Sequence, residues 1–290
     1  ERAGHAFQPV AAKRPVHLEL RFNLVPIRAA NPRPIHVQRI TAGRQQCLKA
    51  LFSRFARTHK RTGDPLSHCI VALGAAAQHA DELSNGQLWG LVHCAGIALP
   101  GFIDYQPISH YRQTMELNFF APVLLTQKLL PKLRKTRGRV VLVSSVDGLV
   151  SLPGNAPYDA SKFAVEAYAD ALRAELSFWD VSVSVINPST MRTPMAMSFF
   201  EGHRKTWQAM AQAEPEGEWK AAWPEHWLDK YINLNTRQLD RIAQDPAHAI
   251  KDILHALSAN RPRLRYLSGT TAKTLFYALW VGPESWSLRF

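Results

Sequence analysis

Three short apolar runs constrain the fold of this chain more than anything else in it. They occupy residues 88–94 (Leu-Trp-Gly-Leu-Val-His-Cys), 139–145 (Arg-Val-Val-Leu-Val-Ser-Ser) and 181–186 (Val-Ser-Val-Ser-Val-Ile). Each reads as a buried β-strand, and residues 263–267 add a last short one. Helical patterns alternate with them, at residues 72–83, 110–135, 157–178 and 246–259. Pro157 is no obstacle, because it falls in a first helical turn. Near-continuous apolar strands alternating with helices predict an α/β fold, a doubly wound parallel sheet covered on both faces. Ligands of such sheets sit beyond the carboxyl ends of the strands. Ala95-Gly96, Ser145 and Pro188 all fall on that edge.

The third helical stretch begins Tyr158-Asp159-Ala160-Ser161-Lys162. Four residues advance an α-helix by about 400°, so Tyr158 and Lys162 lie about 40° apart on one face. A positive charge beside a phenol favours the phenolate, so Lys162 is expected to bring the Tyr158 pKa down towards neutral pH. Ser145 stands 13 residues upstream. Together they suggest proton transfer on a carbonyl or an alcohol, although a tyrosine and lysine so spaced also occur as a plain surface pair.

Composition narrows the class. Of 290 residues, 46% are hydrophobic, as in an ordinary globular protein. Cys47, Cys69 and Cys94 have no ligand-like spacing, which argues for an intracellular, reduced protein and against a disulfide scaffold or a metal site. No apolar run reaches the length of a membrane-spanning helix; a peripheral membrane contact and a homo-oligomer stay open. The net charge of +12 is unevenly placed: residues 1–65 carry 13 Lys and Arg against 3 Asp and Glu, the remainder 22 against 20. The basic residues are scattered among Pro, His and Gln with no recognisable motif, so nucleic-acid binding is not expected.

From about residue 70 the chain resembles the short-chain dehydrogenase/reductase family. Cys94-Ala95-Gly96 is similar to the family's Asn-Asn-Ala-Gly turn, with His93-Cys94 in place of the asparagines. Asn118 sits where the family places a catalytic asparagine, Ser145 matches the catalytic serine, and Tyr158 and Lys162 complete a tetrad with spacings of 27, 13 and 4 residues. The resemblance implies a Rossmann-like fold, NAD or NADP as cofactor, and interconversion of an alcohol with a ketone or aldehyde. It implies that Ser145 binds the substrate oxygen and Tyr158 is the general acid/base. It further implies that Lys162 tunes Tyr158 and binds the nicotinamide ribose, while Asn118 supports a water linking Lys162 to solvent. Pro188-Ser189-Thr190-Met191-Arg192-Thr193 resembles the family's Pro-Gly-x-x-x-Thr, with Ser189 for the glycine. Ala95, Gly96, Tyr158, Lys162, Met191 and Thr193 are therefore the implied cofactor-binding positions.

The overall look is most similar to the retinol, hydroxysteroid and 3-hydroxybutyrate dehydrogenase branch. Residues 190–240, rich in Met and Trp (Met195, Met197, Trp219, Trp223, Trp227), correspond to its substrate lid. Such side chains suit a bulky, apolar ligand of retinoid or steroid type. Ordinary packing of a helical insertion and an oligomer contact are the alternatives. His93 is expected to be turn-forming and Cys94 a small packed side chain. A membrane-associated setting, endoplasmic reticulum or mitochondrion, stays open.

The first quarter departs from the family. Residues 1–70 contain only Gly4, Gly43 and Gly63, with no glycine-rich turn to receive a pyrophosphate. The N-terminal βα portion is thus absent or unrecognisable. Residues 1–65 read as an atypical basic, irregular segment with one short amphipathic helix at 45–60, and 66–290 as the catalytic domain. Weak dinucleotide binding is the expected consequence, and a remnant that binds hydrophobic ligands without catalysis is the alternative.

Overall fold

The computed structural model describes residues 76–283 apart from 81, 83 and 85; residues 1–75, with the helix read at 45–60, lie outside the described residues. Residues 76–80 are helical, as expected of the 72–83 stretch. Strands β1 (Gly90–His93), β2 (Arg139–Val143), β3 (Ser182–Pro188) and β4 (Arg265–Ser268) then form one sheet in the order β1-β2-β3-β4. Every neighbouring pair is parallel, with Val92 beside Val141, Leu142 beside Val185 and Ile186 beside Tyr266.

Alternate residues of the strands divide between two cores, because successive side chains point to opposite faces. Leu91, Val140, Leu142, Val183 and Val185 pack on one face against two helices, α2 (Ala121–Thr136) and α3 (Ala156–Leu176). Leu125, Leu129 and Leu133 supply the α2 side, and Val165, Ala169, Leu172 and Leu176 the α3 side. Val92, Val141, Ile186 and Tyr266 face the other way, onto Ala256 and Leu257 of helix α8 (Ala247–Ser258). Each fully buried Leu or Val stabilises the fold by roughly 1.5–3 kcal/mol relative to exposure. Arg139, at the start of β2, donates to the Ala256 and Ala259 carbonyls at 2.8 and 2.5 Å, placing a cation on the carboxyl end of α8. This doubly wound α/β arrangement is the one the sequence predicts.

The helix read at 110–135 is divided. Helix α1 (Ile108–Met115) runs into a π-helical turn (Glu116–Phe120) before α2 resumes at Ala121. Pro122 has no N–H to offer the carbonyl of Asn118 four residues back, so the regular α pattern cannot pass through this point. The wider turn is the local response.

Beyond β3, residues 194–242 form four helices, α4 (Pro194–Met197), α5 (Phe199–Ala213), α6 (Trp219–Ala222) and α7 (Glu225–Ile242). Their aromatic side chains build a separate core against the loop after β1. Phe102 stacks on Trp223 with centroids 4.2 Å apart, and Tyr105 lies 5.0 Å from Trp219. Trp227 stacks on Tyr231 at 5.4 Å. All three indole N–H groups that the cluster draws inward find acceptors: Trp207 the Trp223 carbonyl, Trp219 Glu214 and Trp223 Asp104. Packing thus accounts for much of this segment's aromatic content, while Met195 and Met197 remain exposed. After β4 come a second π-helical turn (Ala272–Phe276) and helix α9 (Tyr277–Val281), neither of which the sequence reading anticipated. Among the described residues, no helix is long and apolar enough to cross a membrane.

Candidate active site

Strand β2 ends at Val143, and Ser144 and Ser145 follow beyond its carboxyl end. Ser145 is extended and caps a short 3-10 turn (Val146–Gly148), its Oγ accepting from the Asp147 N–H at 3.1 Å. Its carbonyl accepts from Asn187 Nδ2 at 3.0 Å. The same Nδ2 donates to Glu166 of α3, and Glu166 is paired with Arg265 of β4 at 2.6 Å. Three elements therefore fix the serine backbone.

Helix α3 brings Tyr158 and Lys162 to the same edge, both buried at 9% and 4% relative exposure. The close approach of 3-10 turn and helix leaves no room for a side chain at Gly148, where a Cβ would lie 2.7 Å from Ser144 Oγ and 3.0 Å from the Lys162 carbonyl. Lys162 Nζ donates to the Val143 carbonyl at 2.9 Å and lies 5.3 Å from the centre of the Tyr158 ring. Asn118, in the π turn, clamps the loop after β1. Its Oδ1 accepts from Ile97 N and its Nδ2 donates to the Ile97 carbonyl and to Ser161 Oγ, each at 2.9 Å. A Cβ at Gly96 would stand 3.3 Å from Asn118 Oδ1 and 3.7 Å from Lys162 Nζ. Ala95-Gly96, Asn118, Ser145, Tyr158 and Lys162 thus converge.

Met191 and Thr193 follow β3 on the same side of the sheet. Met191 is buried and bridges to Gln244, and Thr193 Oγ1 caps α4 by accepting from Ala196 N at 3.3 Å. The donors gathered at this edge (the Lys162 ammonium, the Thr193 hydroxyl and the close-packed Ala95-Gly96 backbone) fit the ribose and nicotinamide end of a dinucleotide. No described residue supplies a glycine-rich pyrophosphate turn.

The electrostatics correct one expectation. The Tyr158 phenol is held above its ordinary pKa, first by burial, then by Asp147 and Asp159, with only the Ser145 hydrogen bond acting against them. The Lys162 ammonium donates to the Val143 carbonyl and stands 5.3 Å from the ring centre, so burial and the two carboxyls outweigh it. Burial pushes Lys162 itself down to about 8, against Cys94, Asp147 and Glu166. Two carboxyls that were not singled out belong to the same cluster. Burial pushes Asp147 up to about 6, opposed by Lys162 and by its hydrogen bond with Ser145. Burial and then Asp147 push Asp159 up to about 8, against hydrogen bonds from Leu152 and Asn155. Asn155 Nδ2 also donates to Asp147 at 3.3 Å. The only sequence signal for these two was an acid in a stretch otherwise reading as buried.

Two other expectations are settled by position. His93 is buried, with Nε2 2.8 Å from Thr126 Oγ1, and burial lowers its pKa to about 4; it is a packed strand residue. Cys94 is exposed at the sheet edge, where a small packed side chain was expected, because β1 ends one residue before it.

A family model described as short chain dehydrogenase matches residues 67–204. Retinol dehydrogenase 7 of Mus musculus is 35% identical over 226 residues, covering 75% of this chain and 69% of that protein. 17-beta-hydroxysteroid dehydrogenase type 6 of Bos taurus is 33% identical over 235 residues, covering 78% and 72%. A solved short-chain dehydrogenase from Streptomyces avermitilis superposes with a TM-score of 0.54 at 24% identity, over 76% of this chain and 72% of that one. From the strand-end geometry and these relatives together, the chain belongs to the short-chain dehydrogenase family of oxidoreductases.

Proposed function

We propose that the chain interconverts an alcohol with a ketone or aldehyde on a lipophilic substrate of retinoid or steroid type, with NAD or NADP as cofactor. The observation that carries this reading is the convergence of Ser145, Tyr158 and Lys162 beyond the carboxyl end of β2, with Asn118 locking the facing loop. Bound at the edge made by Ala95, Gly96, Lys162, Met191 and Thr193, a nicotinamide dinucleotide supplies hydride-transfer capacity. The chain's own side chains do the rest. Ser145 holds the substrate oxygen by a hydrogen bond. Tyr158 carries the proton that this oxygen gains or loses, and Lys162 keeps positive charge beside the phenol when it is ionised. General acid/base groups of this kind contribute about 100- to 10,000-fold in rate.

The names of the relatives support a retinoid or a steroid, and Asp147 adds a reason within this chain. A partly buried carboxylate beside Ser145 repels an anionic substrate, so a 3-hydroxy acid fits less well than a neutral alcohol. The test is turnover of all-trans-retinol and of a 17β-hydroxysteroid at millimolar NAD or NADP, with Tyr158→Phe beside the wild type. Loss of turnover in the variant is expected. Undiminished turnover would remove Tyr158 from the chemistry, and lipophile binding with no response to either dinucleotide would favour the non-catalytic remnant.

A further inference from the structure

On the face of the sheet opposite α3, between α8 and β4, lies a cavity of about 270 Å3. Asn118, Ser145, Tyr158 and Lys162 take no part in its lining. Helix α8 turns Ala256 and Leu257 onto the sheet. Its residues His248, Lys251, Asp252 and His255 stand at i, i+3, i+4 and i+7, so they share a different face, and all four line the cavity. A polar helix face of this kind is ordinarily open to water. Here Arg263 before β4 and Lys273 in the second π-helical turn close it from the other side, over a floor of buried Tyr266 and Gly269.

The hydrogen bonds leave this lining rich in donors. Arg263 is held through its backbone on both sides: its carbonyl accepts from Ser184 Oγ at 2.8 Å, and its N–H donates to the Tyr266 hydroxyl at 2.9 Å. The guanidinium carbon stands 5.9 Å from the centre of the Tyr266 ring. The Tyr266 hydroxyl has one hydrogen of its own, and its acceptor among the described residues is His255 Nδ1 at 2.8 Å. The His255 proton is therefore on Nε2, which is left as a donor. Asp252 is the one acid in the lining, and its Oδ2 already accepts from Ser268 Oγ at 2.5 Å. The ion pairs in this part of the chain use Arg173, Arg192 and Arg265, so Lys251, Arg263 and Lys273 face the cavity without a carboxylate partner among the described residues.

Three cations against one carboxylate leave two positive charges in excess, before either histidine is protonated. That excess matches a dianion. A planar guanidinium with two ammonium groups suits the three terminal oxygens of a phosphate ester better than the two of a carboxylate. The cavity is small for a ligand site, with room for a phosphate and a short ester arm. We propose that it binds a phosphomonoester, held by Lys251, Arg263 and Lys273 with the His255 N–H as a neutral donor. The site lies outside the reacting corner, and the proposal does not depend on the function proposed above. Small phosphate esters and phospholipid head groups present the same dianion.

The test needs no turnover. Binding of inorganic phosphate to the full chain is followed by 31P NMR and calorimetry, at an ionic strength held constant with chloride. Saturation at one phosphate per chain, in the millimolar range, is expected. Lys251→Glu combined with Lys273→Glu weakens it by about tenfold or more, and Arg263→Ala by about tenfold. Arg263→Lys, which keeps the charge without the planar fork, restores part of that loss. These side chains are exposed, so thermal unfolding should confirm that each variant is folded. Lys205→Glu, the same charge change at an exposed position of α5, should leave the affinity unaltered. Absence of binding, uptake that never saturates, or an equal loss in Lys205→Glu overturns the proposal. Glycerol 3-phosphate, and phosphatidylcholine vesicles with and without phosphatidic acid, identify the source. Tighter binding of the soluble ester supports a metabolite site. Cosedimentation that requires both phosphatidic acid and Arg263 supports a head-group site.

Discussion

The corner around Ser145 lies at the carboxyl edge of the sheet and the helices of residues 194–242 pack against the loop after β1, and different physics holds each together. The corner is polar. Asn118 makes three hydrogen bonds at 2.9 Å, and Asn187 joins the Ser145 carbonyl to Glu166 and through it to Arg265. The helical segment is aromatic: Trp223, Trp227 and Tyr231 pack on Phe102 of the loop after β1, and His203 lies against Phe102 and Tyr231. Hydrogen bonds are directional and fix atoms where chemistry needs them. Ring packing fixes shape and tolerates replacement by other apolar groups of similar volume. A reacting corner and an adaptable cover are what that difference provides.

If the comparison holds, damage to the two regions separates cleanly. The largest expected effect is Tyr158→Phe, a loss of about 1,000-fold or more in kcat with the unfolding midpoint changed little, checked by steady-state kinetics beside thermal denaturation. Trp223→Ala should behave oppositely. It removes a ring stacked 4.2 Å from Phe102 and costs about 2–3 kcal/mol of stability, read from urea unfolding. Its effect on turnover should fall mainly on KM, and an equal loss in kcat would blur the distinction.

The corner also predicts a pH dependence that the aromatic segment lacks. Asp159 is held above its ordinary value, at about 8, so the folded chain binds its proton more tightly than the unfolded one does. That contribution is complete below the unfolded pKa near 4 and is lost as pH rises through about 8. Asp159→Asn should therefore be more stable than the wild type at pH 9, by about 1–2 kcal/mol, with the gap narrowing as pH falls and closing near pH 4. A gap independent of pH would place the Asp159 proton outside this network. The smallest effect expected is Cys94→Ser, within about 0.5 kcal/mol in stability, since the side chain is exposed.

The two regions were also unequally legible in the sequence. The strands were readable because residues buried on both faces must be apolar throughout, and all four lie within two residues of the runs at 88–94, 139–145, 181–186 and 263–267. Asn118, Ser145, Tyr158 and Lys162 were readable because chemistry ties residue type to spacing. The electrostatic state of Tyr158 was not, since it depends on burial and on where the Lys162 ammonium points, neither of which spacing encodes. The aromatic residues at 207–231 suggested a ligand cover, yet the same side chains satisfy a core, and composition alone does not separate the two. Asp147 and Asp159 escaped notice because an isolated acid becomes informative only once its neighbours in space are known.

The π turn at Glu116–Phe120 has a consequence for how this fold can vary. One additional residue in a turn rotates everything after it by about 100° relative to an uninterrupted α-helix. Helix α1 can therefore meet α3 while α2 directs Leu125, Leu129 and Leu133 at the sheet, although neither face continues the other in sequence. The phase offset resides in residues 116–120, which include Asn118. A deletion of Glu116 should straighten the rod, turn either the leucine row or the Asn118 amide away from its partners, and be far less tolerated than a deletion in an exposed loop. Length, at this position, is as strictly specified as residue identity.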